Sequence, residues 1–211
     1  MTDLNYNPID RFFENTRKPH NTSIEYYDFS TLYLLVRDIK TCFGIDPATD
    51  LPFYCSKCNE IVKNRAQWPA VMGILAGIDL LGKFYFGKDN NEVGDRFKGF
   101  VKCFFYLNDK DKESLILYEL RNSMLHSFGL YSKKYHLTLV EKENLPFINI
   151  IGNQPKKRAV VNVIELYKQF LNAIKEYYKE LVKSSELKAN FNKMFIKYGI
   201  NRQGPLALLD N

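Results

Sequence analysis

The chain has 211 residues, 45% of them hydrophobic and 15% aromatic, so it can bury a core, which excludes disorder as its main state. Its 30 basic and 24 acidic residues give a net charge of +6, and residues 156–211 carry the whole excess. Such a basic segment favours polyanionic partners, although a solvated lysine-rich helix face explains it more simply. Asp79 and Lys83 interrupt the longest apolar stretch and the N-terminus lacks a signal-peptide pattern, so we expect a cytoplasmic protein without a membrane span.

Helical periodicity dominates the chain, and we predict a mainly α-helical bundle that forms a single domain over residues 1–211. Residues 1–28 are expected to be a polar extension with a short amphipathic stretch, residues 66–199 to hold the helical core, and residues 200–211 to be a tail. The predicted helices run from a cap at Ser30 or Thr31 to Cys42, and over residues 68–86, 93–107, 112–128, 161–183 and 186–198.

Two patterns in the second half of the chain predict finer structure. Residues 135–139 alternate between apolar and polar side chains and residues 147–151 are rich in β-branched residues, so we predict a small β-hairpin inserted near residues 131–153. In the last long helix, spacings of three and four residues predict the buried seam. Its members are Ile164, Tyr167, Leu171, Ile174, Tyr178 and Leu181.

The four cysteines, Cys42, Cys55, Cys58 and Cys103, are expected to be reduced thiols. Cys55 and Cys58 have the CxxC spacing and fall in a proline-containing loop. A structural zinc site needs four ligands, and no second pair lies at close spacing, since Cys42 and His20 are further upstream. A plain loop with two thiols is therefore the simpler interpretation, and a zinc site is the alternative.

One predicted helix carries a cluster of chemically active side chains. Residues 121–126 read Arg-Asn-Ser-Met-Leu-His, and Asn122 and His126 lie four residues apart on one helix face. Arg121 is about 140° around an ideal helix from His126, but its long stem can curl towards the same cleft. The predicted ends of this helix are a cap at Asn108 or Asp109 and a terminal glycine, Gly129.

This set of side chains suits metal-free cleavage of an RNA phosphodiester. An arginine offers a permanent charge in a planar fork that matches a phosphate, and a histidine gains or loses a proton near neutral pH. His126 would move the proton of an attacking ribose 2′-hydroxyl, Arg121 would stabilise charge on the phosphoryl oxygens, and Asn122 would hold the imidazole or a substrate oxygen. Alternatively, Arg121 and His126 are surface residues paired with acids such as Glu119 or Asp109.

The stretch from Leu120 to His126 resembles the R-x4-6-H signature of HEPN-domain proteins, in which a polar residue, often Asn, follows the arginine. The resemblance implies an all-α bundle and a metal-independent endoribonuclease, without a cofactor, of toxin–antitoxin or antiviral defence systems. It also implies a homodimer in which the motifs of both subunits face one cleft. Carried over residue by residue, Arg121, Asn122 and His126 would be the catalytic set. The resemblance covers residues 68–131 and leaves out the N-terminal region, the CxxC and the hairpin.

Further residues near the motif have two interpretations each. Lys133 and Lys134, followed by His136, would reach an RNA backbone, although lysines at an exposed edge that discourage strand pairing explain them more simply. Asp79, inside an apolar helix, is either a functional acid near Arg121 or a polar residue paired within the bundle, because a buried carboxylate needs a partner.

Two other classes of function are open on the sequence. A catalytically inactive HEPN-like module would bind a nucleotide or a protein partner such as a cognate antitoxin, and a zinc-stabilised interaction protein would use Cys55 and Cys58. Trp68 and most Phe and Tyr residues are expected in the core. No dinucleotide-binding, P-loop, zincin or α/β-hydrolase motif occurs, so those chemistries have no support.

Overall fold

A computed structural model describes residues 7–13, 27–62, 65–90, 92–152 and 157–203. In these residues the protein is mainly helical, with a two-stranded and a three-stranded sheet. The helices are α1 (Pro8–Phe13), α2 (Thr31–Cys42), α3 (Gln67–Phe86), α4 (Val93–Phe104), α5 (Lys110–Ser127), α6 (Val163–Leu181) and α7 (Ser185–Tyr198). The strands are β1 (Tyr27–Ser30), β2 (Tyr135–Val140), β3 (Ile148–Ile151), β4 (Lys157–Asn162) and β5 (Ile200–Gln203).

Helix α3 is the centre of the bundle and packs against α2, α4, α5, α6 and α7. Its apolar residues cover most of its circumference, which is why it is surrounded rather than packed on one side. By length and composition alone it would also suit a membrane span, and half of that span is buried inside the bundle. Its fully buried side chains include Ala70, Val71, Ile74, Leu75, Ile78, Leu81 and Phe84.

Local capping signals set the helix boundaries close to the predicted ones. The Ser30 side chain caps α2 by accepting the Tyr33 N–H at 3.2 Å, and Asp109 caps α5 by accepting the Lys112 N–H at 3.0 Å. Helix α3 ends at a left-handed glycine, Gly87. Helix α4 is shorter than predicted and ends at Phe104 rather than near residue 107.

The predicted β-hairpin near residues 131–153 is wrong, because its two strands do not pair with each other. Strands β2 and β3 both exist, but they flank β4, with β2 parallel and β3 antiparallel to it. The sequence predicts no strand over residues 157–162, and the last two of these residues fall in the predicted helix over residues 161–183. Their alternation is short, and only Ala159 and Val161 on the inner face mark them as a strand.

The buried face of α6 lies one residue before the predicted seam at five of six positions, and Leu181 belongs to both. Both stripes show spacings of three and four residues, so periodicity alone does not choose between them. The predicted residues Tyr167, Ile174 and Tyr178 pack at the edge of the core and are only partly buried. The buried stripe consists of Val163, Leu166, Phe170, Ala173, Tyr177 and Leu181.

Both ends of the described chain are built into the fold. Helix α1 inserts Phe12 into the core, where its ring lies 4.5 Å from the Phe84 ring and 5.4 Å from the Phe191 ring, centroid to centroid. Strand β5, within the residues predicted to be a tail, pairs antiparallel with β1. The described parts of the segments expected to be an extension and a tail therefore contribute structure.

We predict that Phe12→Ala lowers the free energy of unfolding by about 3–5 kcal/mol, because it removes a fully buried ring from the contact between α1 and the bundle. Chemical denaturation measures this change. The matched control is Ile196→Ala, which truncates an apolar side chain that is 88% exposed and should change the same quantity by less than about 0.5 kcal/mol. Equal effects of the two substitutions would contradict the insertion of α1 into the core.

Candidate active site

The predicted cluster lies in the last two turns of α5, where the helix ends differently than the sequence indicated. Helix α5 ends at Ser127, and Phe128 rather than Gly129 adopts the left-handed conformation, with φ of 46°. The backbone N–H groups of Phe128 and Gly129 both donate to the Ser123 carbonyl. The exposed Phe128 ring lies 5.3 Å from the ring of Trp68, a contact that helps to hold this unusual backbone conformation.

The Arg121 side chain connects three other residues of the cluster. Its Nε and Nη2 atoms both lie 2.7 Å from Oδ2 of Asp79, on α3. Its Nη1 atom donates to Asn122 Oδ1 at 3.1 Å and lies 2.7 Å from His126 Nε2. The arginine stem therefore curls back along the helix as expected, and the structure brings all three predicted catalytic residues together with Asp79.

The direction of these hydrogen bonds fixes the state of the histidine ring in this arrangement. A guanidinium has only donors, so His126 Nε2 must accept the hydrogen bond from Arg121 Nη1. An accepting Nε2 means a neutral imidazole that carries its proton on Nδ1. His126 itself is exposed at the surface, so the ring is both held by the protein and open to solvent.

Asp79 and Arg121 form an ion pair that is largely shielded from water. The side chains are 15% and 14% exposed, respectively. Burial raises the pKa of Asp79 above its ordinary value of 3.8, while the hydrogen bond and charge of Arg121, with smaller contributions from Lys83 and Arg96, act in the opposite direction. Arg121 is therefore the main group that favours the carboxylate form of Asp79.

The acids that the sequence offered as alternative partners are placed elsewhere. Asp109 caps the start of α5, and Arg121 pairs with Asp79 rather than with Glu119. The sequence did carry a signal for Asp79, since a lone carboxylate in an apolar helix needs a buried partner. It placed Asp79 near Arg121 as one of two possibilities, and the structure pairs these two side chains.

The two lysines predicted to bind RNA lie just beyond the cluster. Lys133 and Lys134 are exposed in the turn before β2, where the Lys134 backbone N–H donates to Ser132 Oγ at 3.2 Å. His136 is exposed on β2, and its ring lies 5.1 Å from the ring of Tyr131. His20, weighed as a distant metal ligand, lies outside the described residues.

Sequence reasoning missed the aromatic side chains next to the cluster. Trp68 was expected in the core, but it is only half-buried, and its ring packs against the exposed ring of Phe128. The turn that follows is fastened to α5, because Ser123 Oγ accepts the Tyr131 N–H and donates to the Tyr131 carbonyl, both at 2.8 Å. Trp68 and Phe128 are neighbours because the start of α3 packs beside the end of α5. A pattern within either helix does not reveal this contact.

Within the part of the chain that the structure describes, no group of three or more His, Cys, Asp or Glu side chains is placed to hold a metal ion. Comparison of the chain with protein-family models, curated proteins and solved structures finds no match. The fold and the site together define a mainly helical protein in which a shielded Asp–Arg pair holds an exposed histidine at the end of a core helix.

We predict that Arg121→Met lowers the free energy of unfolding by about 3–5 kcal/mol at pH 7, because it leaves the Asp79 carboxylate shielded and unpaired. Because the pKa of Asp79 is raised, the Asp79 carboxyl group binds its proton more tightly in the folded protein than in the unfolded chain. The free energy of unfolding therefore falls as the pH rises through the pKa that Asp79 has in the folded protein. The loss caused by Arg121→Met should therefore be smaller near pH 4 than at pH 7. Urea denaturation at the two pH values measures it.

The control for this prediction removes both charges. Asp79→Leu combined with Arg121→Met should recover most of the lost stability, because no unpaired charge is left behind. A single Arg121→Met variant as stable as the wild type at pH 7 would show that the pair is solvated rather than shielded.

Proposed function

We propose that this chain is a metal-independent endoribonuclease of the HEPN type, a homodimeric cytoplasmic enzyme of a toxin–antitoxin or phage-defence system. The observation that carries the proposal is the 2.7 Å contact between Arg121 Nη1 and His126 Nε2 at the exposed end of α5. It joins a fixed positive charge to an unprotonated ring nitrogen at a position that a nucleic acid can reach. The resemblance of residues 120–126 to the HEPN signature points to the same chemistry.

His126 is the proposed general base. Its Nε2 lone pair takes the proton of a ribose 2′-hydroxyl, whose oxygen attacks the adjacent phosphorus. The bond from phosphorus to the 5′-oxygen breaks, which leaves a 2′,3′-cyclic phosphate on one fragment and a 5′-hydroxyl on the other. Before this step, His126 Nε2 must lose the hydrogen bond that Arg121 donates and accept one from the 2′-hydroxyl of the substrate.

Arg121 is placed to bind the phosphate through the edge of its guanidinium that Asp79 does not use. Asp79 occupies the edge formed by Nε and Nη2, so the edge formed by Nη1 and Nη2 points away from it. When the substrate hydroxyl replaces Arg121 as the donor to His126, the Nη1 N–H becomes free. Nη1 and Nη2 can then each donate to one phosphoryl oxygen. Asp79 acts in this scheme as a positioning residue, because it fixes the plane of the fork.

A second copy of the chain supplies the missing acid. The leaving 5′-oxygen needs a proton, and one histidine cannot act as base and acid in the same concerted step. In a homodimer with both motifs facing one cleft, His126 of one subunit takes the proton. His126 of the other subunit gives one, after it has left Arg121 and taken a proton from solvent. Lys133 and Lys134, in the exposed turn beyond the motif, are the proposed contacts for the RNA backbone.

One observation favours a catalytically inactive module instead. Four of the five N–H donors of Arg121 already have acceptors, two on Asp79 and one each on Asn122 and His126. A network this complete also suits a purely structural role, in which α3 and α5 are pinned together and the surface binds a protein partner or a nucleotide. The cleavage assay below separates the two functions.

We predict that the purified protein cleaves single-stranded RNA in buffer without added Mg²⁺ and leaves 2′,3′-cyclic phosphate ends, and that His126→Ala reduces the rate by about 100-fold or more. Arg121→Lys keeps a positive charge beside Asp79 but loses the planar fork, so the rate should fall by about 100-fold to 1000-fold with little change in stability. Mass spectrometry of the fragments identifies the ends.

The matched control for Arg121→Lys is Arg37→Lys, which makes the same exchange at the ion pair of Arg37 with Asp38 on α2 and should leave the cleavage rate within about twofold of wild type. Expression of the wild type should slow cell growth, and His126→Ala should relieve that effect. If the wild type leaves RNA intact, or if His126→Ala cleaves as fast as the wild type, the nuclease assignment fails and the inactive module is favoured.

A further inference from the structure

An exposed aromatic ring lies directly beside the candidate active site. Phe128 follows His126 by two residues, so their Cα atoms are at most about 7 Å apart. The Phe128 ring is 69% exposed and packs against the half-buried ring of Trp68, with 5.3 Å between the centroids. Because most of the Phe128 ring remains accessible, it can contact a second flat group that comes from outside the protein.

The backbone of Phe128 shows that this exposed ring is kept against a local preference. Its φ of 46° is a conformation that a large side chain rarely adopts and that a glycine adopts freely. A glycine at this position would therefore end α5 with less strain. Residues held in such conformations are concentrated at functional sites, and this one is two positions from the proposed general base.

A short turn places a second exposed ring three residues after the first. Tyr131 and His136 pair as an isolated antiparallel bridge, and their rings make a T-shaped contact with 5.1 Å between the centroids. The two hydrogen bonds between Ser123 and the backbone of Tyr131 attach this turn to α5. Tyr131 is 56% exposed. Two accessible rings, those of Phe128 and Tyr131, are therefore held within five residues of His126.

The turn that begins at Tyr131 is basic. Residues 120–140 contain no Asp or Glu, and Lys133 and Lys134 are exposed in the turn. The Ser132 hydroxyl oxygen supports the turn by accepting the Lys134 N–H at 3.2 Å. Lysine is depleted in protein–protein interfaces, whereas cations beside aromatic rings are typical of surfaces that bind a single-stranded nucleic acid. The chemistry of this surface therefore favours RNA over a protein partner.

The basic surface continues across the three-stranded sheet. Arg158 on β4 lies beside His136 on β2 in the parallel register, so the two side chains share one face of the sheet. This face is open to solvent, because both side chains are exposed while Ala159, the next residue of β4, is buried on the other face. Arg158 therefore adds a permanent positive charge about one strand spacing beyond His136.

We propose that Phe128 and Tyr131 form a stacking platform for two unpaired nucleobases beside the scissile phosphate. Arg158 continues the RNA path, because it binds the backbone across the exposed face of the sheet. The stacking platform rests on the proposed function, since it takes an RNA substrate at His126 as its starting point, and it defines the substrate class. A duplex keeps its bases stacked inside the helix, where two rings on a protein surface cannot reach them, so the substrate is single-stranded RNA.

The test measures binding of a single strand of about ten 2′-O-methyl nucleotides, which lacks the attacking hydroxyl and stays intact. Fluorescence anisotropy gives the dissociation constant, and a 2-aminopurine base reports stacking, because contact with an aromatic ring quenches its fluorescence. Phe128→Leu keeps an apolar side chain against Trp68 but removes the flat face. The dissociation constant should rise about 10-fold and the quenching should weaken, and Tyr131→Leu should have a similar effect.

Matched variants and a second RNA complete this test. Phe128→Tyr retains an aromatic face at the same position and should bind within about twofold of wild type. Tyr106→Leu removes a ring that is 73% exposed and lies four residues before α5, at the opposite end of that helix from His126, and it should also bind within about twofold. The wild type should bind the single strand at least about 10-fold more tightly than a duplex of the same sequence, a comparison that needs no variant.

The contribution of the sheet has its own measurement. Arg158→Gln removes one contact to a phosphate, so the slope of the logarithm of the binding constant against the logarithm of the salt concentration should fall in magnitude by about 0.7. Lys179→Gln removes an exposed cation of α6 that pairs with Glu176, and it should leave this slope unchanged. Equal slopes for the wild type and Arg158→Gln would contradict the RNA path across the sheet.

Two results would overturn the stacking platform. The first is RNA binding that does not change when both rings are lost, or that is equally tight for the single strand and the duplex. The second is a change from dimer to monomer on loss of the rings while RNA binding stays at the wild-type level, since the rings would then belong to a protein interface.

The readouts also separate the stacking platform from the nuclease. RNA that binds through the rings but is never cleaved would support the stacking platform and contradict only the catalytic step. Cleavage of unmodified RNA at the wild-type rate by Phe128→Leu combined with Tyr131→Leu would contradict only the stacking platform.

Discussion

The ion pair between Asp79 and Arg121 is the interaction on which the candidate site depends. Asp79 is a carboxylate on the central helix of the bundle, where α3 is enclosed by five other helices and cannot turn to expose it. A charge in such a place is tolerated only with a partner, and α5 supplies one. Because α3 is fixed by its packing, the guanidinium plane is fixed too, and its remaining edge is directed along α5 towards His126.

The end of α5 lies next to this ion pair. With His126 held by Arg121 from one side, the helix stops one residue later, and Phe128 turns its ring onto Trp68 at the start of α3. Ser123 then binds the backbone of Tyr131 through two hydrogen bonds. Strand β2 therefore begins close to the site, and so does the exposed turn that contains Lys133. The start of α3 and the end of α5 therefore lie side by side.

Features set by neighbours in sequence could be predicted, and features set by distant residues could not. The caps at Ser30 and Asp109 are local hydrogen bonds, so the helix starts were predicted to within two residues. Strand β4 depends on pairing with strands on both sides, and its six residues carry too short an alternation to be recognised alone. Asp79 was identified as needing a partner, and Arg121 was one of two possibilities for its neighbour. The two residues are 42 positions apart, so the choice depends on the rotation of two packed helices about each other.

The most direct test of the central claim is the protonation of the His126 ring nitrogens. In long-range ¹H–¹⁵N spectra near neutral pH, with the signals assigned through His126→Gln, the account predicts an unprotonated Nε2 and a proton on Nδ1. It also predicts that Arg121→Lys, which cannot present the same planar donor, removes this preference. A wild-type ring protonated on Nε2, or a tautomer that does not respond to the loss of the guanidinium, would contradict the arrangement.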